Sequence, residues 1–132
     1  MQGFSFNLDL YNLRKALPVA LIVGAGLAVI LAGTGLFGSL WSIILLAAWI
    51  FVGIYYANMV LGTSDRPHIL NIGINGAILA AIAGLAFSIV GWLVRVIRYP
   101  GGAYFDLLYF IEAGIIGGLA ALGWYLYKTT TT

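Results

Sequence analysis

The chain opens its longest uninterrupted pattern at Ala16: between Lys15 and Asp65 there is no charged residue, only apolar, small or weakly polar ones. As one helix that run would extend roughly 70 Å, more than twice the ~30 Å hydrocarbon core of a bilayer, so it must fold back. Gly38 and Ser39, between Phe37 and Leu40, are the break in the run where a reversal fits. This predicts a helix over about 17–37, a very tight hairpin, and a second helix over about 40–61. The polar stretch from Gly62 to His68 leads to a third helix, 69–94, which Arg95, Arg98, Pro100, Gly101 and Gly102 bring to an end. A fourth helix follows over about 107–127, and Lys128 with four threonines lies outside the lipid.

Ahead of the first crossing, Phe6, Leu10, Leu13 and Leu17 recur at helical spacing opposite Asn7, Asp9, Asn12 and Arg14. That pattern predicts a short N-terminal helix lying in the membrane interface. Arg14 and Lys15 before an apolar run also have the form of a secretory signal, but the fifteen residues preceding the run are long for one.

Composition fixes the solvent. Of 132 residues 63% are hydrophobic and 8% charged, with 18 glycines and a mean hydropathy of +1.07. Soluble domains carry roughly a quarter charged residues, so most of this surface must face lipid, and the fold class is an all-α integral membrane protein, a single four-helix transmembrane domain over 1–132. The net charge of +2 comes from six scattered basic residues rather than a basic stripe, which argues against nucleic acid. With no cysteine there is neither disulfide nor thiolate chemistry, and a single histidine, His68, cannot provide bis-histidine haem ligation. The HExxH, GxSxG, P-loop and dinucleotide motifs are missing from the sequence, so no enzymatic activity is expected.

Basic residues near the crossings set orientation. Arg14, Lys15, Arg66 and Lys128 fall on the side of both termini, Arg95 and Arg98 on the other. The expectation is a multi-pass protein of the cell membrane with cytoplasmic N- and C-termini. Tyr11, Tyr55, Tyr56, Trp124 and Tyr127 on one side, and Trp41, Trp92, Tyr99 and Tyr104 on the other, suit interfacial anchoring; Trp49, near mid-helix, does not.

Membrane helices associate where small residues let backbones approach. Gly24 and Ala28 in the first helix, Gly76, Ala80 and Gly84 in the third, and Gly117 in the fourth have that four-residue rhythm. The second helix is poorer in such positions and is expected at the periphery. Glu112 is the one carboxylate inside a predicted crossing; level with the end of the third helix, it is expected to form a helix–helix ion pair with Arg95 or, failing that, to bind an ion. His68, Asn71 and Asn75 share one helical face. No cofactor is required, but this weak stripe has the chemistry to contact a single pigment, quinone or lipid head group.

These features point to a non-enzymatic accessory or structural subunit of a larger electron-transfer, photosynthetic or transport assembly, with the bilayer and other membrane subunits as partners. A small homo-oligomeric transporter or channel using Glu112 and Arg95, and a pilin-like lipid-embedded filament subunit, are the alternatives.

Overall fold

The computed structural model describes residues 8–34, 39–62, 69–98 and 108–130. They form four helices: α1 (Leu10–Thr34), α2 (Ser39–Leu61), α3 (Ile69–Arg98) and α4 (Leu108–Thr130). All four are long and apolar enough to cross a membrane, and no strand occurs among the described residues. In lipid every backbone N–H and C=O must be satisfied within its own segment, which is why apolar runs of this length become helices. The chain is a multi-pass helical membrane protein.

Helix ends depart from the pattern in the sequence, each for a local reason. α1 starts at Leu10 and continues through Pro18 without a break, so Leu10 to Leu17 are its first turns rather than a separate interfacial helix. Asp9 caps it: the Asn12 backbone N–H donates to Asp9 Oδ1 at 3.3 Å, and Leu13 N–H donates to the Asp9 carbonyl at 2.9 Å. The expected faces are mixed: Asn12 is buried beside Leu13, whereas Leu10 is 59% exposed and Arg14 is exposed, because the Asn12 amide finds its partner, Asp9, at the helix start. α4 continues to Thr130 through its threonines, whose hydroxyls donate back to carbonyls one turn earlier, Thr129 to Tyr125 at 2.8 Å and Thr130 to Leu126 at 2.7 Å. The hairpin expected at Gly38 and Ser39 lies largely outside the described residues, as does Phe6.

The helices occupy four corners in the order α1, α3, α4, α2. α3 makes the most extensive contact, with α4 and then with α1; α2 packs chiefly on α4, and α1 and α4 do not touch among the described residues. Contacts that advance together along both helices, Asp9 with Asn75 and then Gly24 with Ala83, and Gly53 with Gly117 and then Asn58 with Trp124, make α1 parallel to α3 and α2 parallel to α4. Aromatic rings bridge three helices within a core that is otherwise mostly aliphatic. Trp49 is fully buried and meets Phe87 edge-on at 6.0 Å, and Phe87 meets Tyr109 edge-on at 4.9 Å, joining α2, α3 and α4. Trp49 thus fills the bundle interior, which accounts for its mid-helix position. Its Nε1 and the Ser88 hydroxyl are buried without a hydrogen-bond partner.

α2 is not peripheral, contrary to the expectation from its bulky sequence. It is as buried as α3, and α1 is the least buried of the four. One glycine suffices for this: Gly53 lies so close to the Gly117 carbonyl that no methyl group fits between them.

Candidate functional site

The polar side chains that the fold draws inward converge at the end of the bundle where α1 and α3 begin. Asp9, half-buried, is the hub. Its Oδ2 accepts a hydrogen bond from the Tyr56 hydroxyl at 2.9 Å and another from Asn12 Nδ2 at 2.8 Å, while its backbone N–H donates to Asn75 Oδ1 at 3.0 Å. Asn75, 1% exposed, uses its Nδ2 to donate to the Asn71 carbonyl at 2.8 Å. One carboxylate therefore ties α1 to α2 through Tyr56 and to α3 through Asn75. A neighbouring bond closes the remaining side, Trp124 Nε1 donating to Asn58 Oδ1 at 2.7 Å and joining α4 to α2.

Local rules explain each placement. Asp9 stands immediately before a helix, where its oxygens meet N–H groups that have no intrahelical partner and the positive end of the helix dipole favours a negative charge. Asn75 lies six residues into α3, about 9 Å along the axis, deep enough that an amide without partners would be costly. Both its functional groups are occupied.

Of the residues singled out from sequence, Asn71 and Asn75 belong to this network, and His68 lies outside the described residues. Asp9, Asn12 and Tyr56 were not anticipated. The Asp9–Asn12 spacing is a capping signal legible in sequence, but nothing there separates the buried Tyr56 from Tyr55. Tyr56, 1% exposed, is no interfacial anchor.

Glu112 and Arg95 lie at the opposite end. Glu112 is half-buried on α4, one turn before Ile116. The Arg95 guanidinium reaches back along α3 to within 3.7 Å of where a side chain on Gly91 would begin. The small residues line the helix contacts. Gly24 abuts Ala83 and Ala86 on α3; Ala28 is buried near Gly91; Gly76, Ala80 and Gly84 abut α4 at Ala121, Gly117 and Ala113. Gly117 sits where α2, α3 and α4 meet, between Ala80 and the Trp49 carbonyl.

Chemically, the network holds a negative charge in place and fastens helix ends. No group of three metal-ligating side chains occurs among the described residues.

Comparison of the chain with protein-family models, curated proteins and solved structures finds no match in any of the three.

Proposed function

We propose that this chain is a non-enzymatic structural subunit of a larger membrane complex, of the kind found in electron-transfer, photosynthetic or transport assemblies, and that it receives a partner's transmembrane helix on the outer face of α3 and α4. The observation that carries this reading is a continuous furrow of about 530 Å³, extended by a second stretch, on the lipid-facing side of that pair. Gly73, Ala77 and Ala81 from α3 and Gly114 and Gly118 from α4 floor it, and Ile74, Ile78 and Ile115 wall it.

Length bears on the class of occupant. The furrow follows α3 from Leu70 to Leu85 for about 22 Å and α4 from Phe110 to Leu122 for about 18 Å, both longer than the about 15 Å depth of one leaflet of hydrocarbon. An acyl chain from one leaflet covers part of it; a crossing helix covers all of it. A floor of small residues is also what close helix association needs, since lipid tails already satisfy bulky apolar faces. The interior, filled by Trp49, Phe87 and Tyr56, leaves the outer surface as the place for interactions.

The test is purification from native membranes in mild detergent with mass spectrometry of co-purifying chains, for the wild type and for Ile115→Trp, which blocks the furrow from an exposed position. Distinct membrane polypeptides at fixed stoichiometry, lost in the variant while the bundle melts normally, are expected. A closed homo-oligomer would instead favour transport, with Glu112 as the carboxylate to test, and an open polymer of one chain would favour a filament.

A further inference from the structure

The groove between α2 and α4 differs from the furrow in having a cation at one end. About 590 Å³ in volume, it is lined by Ile50, Ile54, Ile116, Leu119, Gly123 and Trp124. Measured along α4 from Ile116 to Tyr127 it is about 17 Å long, close to the depth of one leaflet. Gly123 faces its open space, since a Cβ there would meet nothing within 4 Å.

Its outer end is built for a head group. Trp124 has its indole oriented by the 2.7 Å bond to Asn58. The exposed Lys128 holds its ammonium 4.9 Å from the centre of the Trp124 ring and 6.0 Å from that of Tyr127. A cation held over two aromatic rings that themselves line an apolar slot about one leaflet deep matches a negative phosphate joined to an acyl chain. We infer that the α2–α4 groove is a binding site for an anionic phospholipid, with one acyl chain lying between Ile54 and Ile116 and the phosphate on Lys128.

Native mass spectrometry of the purified full chain in detergent micelles, titrated with dioleoyl phosphatidylglycerol or dioleoyl phosphatidylcholine, tests this. One basic residue near the membrane surface contributes about 1 kcal/mol to attraction of anionic lipid, so phosphatidylglycerol should be retained about fivefold more strongly. Lys128→Gln should bring the two lipids to parity. Gly123→Leu, which fills the slot without a clash, should weaken both. Equal retention by the wild type, a preference that survives Lys128→Gln, or binding unaffected by Gly123→Leu in a bundle that melts normally would overturn the assignment. So would a lipid-free dimer that Gly123→Leu disrupts, since the groove would then belong to a second copy. Lys128→Gln, at an exposed position, decides alone should Gly123→Leu disturb the bundle.

Discussion

Asp9 is placed where removing a few atoms has consequences on three helices. Asp9→Ala deletes the cap of α1 and leaves the Tyr56 hydroxyl and the Asn12 amide without their acceptor in a water-poor setting. Loss of a cap costs about 1 kcal/mol and stranding the Tyr56 hydroxyl, the more deeply buried of the two donors, about 1–3, so the bundle should lose at least about 2–4 kcal/mol, read as a lower melting temperature in detergent. Asp9→Asn keeps one carbonyl oxygen and a good capping residue, and its loss should be about half as large. Melting of Asp9→Ala at the wild-type temperature would show that the network fastens nothing. Part of this site was legible: Asn75 announces itself as a polar residue in an apolar segment, and Asp9 with Asn12 has the spacing of a helix cap. The meeting of Tyr56 with Asp9 was not, because it depends on the register between helices, 47 residues apart in sequence.

At the scale of the helix, the small residues make the sharpest claim. A Cβ on Gly84 would stand 2.6 Å from the Tyr109 carbonyl oxygen and 2.7 Å from the Ala113 methyl, neither of which can turn aside. Gly84→Leu should therefore push α4 away from α3 and destabilise the bundle by about 1–3 kcal/mol. Gly26 provides the matched control, since nothing lies within 4 Å of its Cβ position, and Gly26→Leu should melt as the wild type does or slightly higher. Equal melting of both variants would mean that α3 and α4 do not meet through this face. The four-residue spacing made these contacts readable, whereas the start of α1 was obscured by Arg14 and Lys15. Both are exposed, and Lys15 rests its ammonium 4.6 Å from the centre of the Tyr11 ring, so their long side chains accompany the helix at the interface without ending it. α2 was misjudged for a different reason: counting glycines overlooks that a single one, opposite another backbone, is enough.

For the whole molecule, hydropathy alone foretold four crossings, because lipid admits so few alternatives for an apolar chain. The corner order α1, α3, α4, α2 was not foretold, since every face of these helices is apolar and no amphipathic stripe marks the inside. The bundle, its polar end and both proposed binding surfaces all require an even number of crossings that leaves Asp9 and Lys128 at the same end. Single cysteines at Thr130 and Ala103, in a chain that has none of its own, test this with a membrane-impermeant thiol reagent applied to intact cells. Ala103 should react and Thr130 should not, placing the α1 start, the α4 end and Lys128 on the cytoplasmic side. The reverse pattern would keep four crossings and invert the orientation; reaction at both positions in the same intact cells would contradict the four-crossing bundle itself.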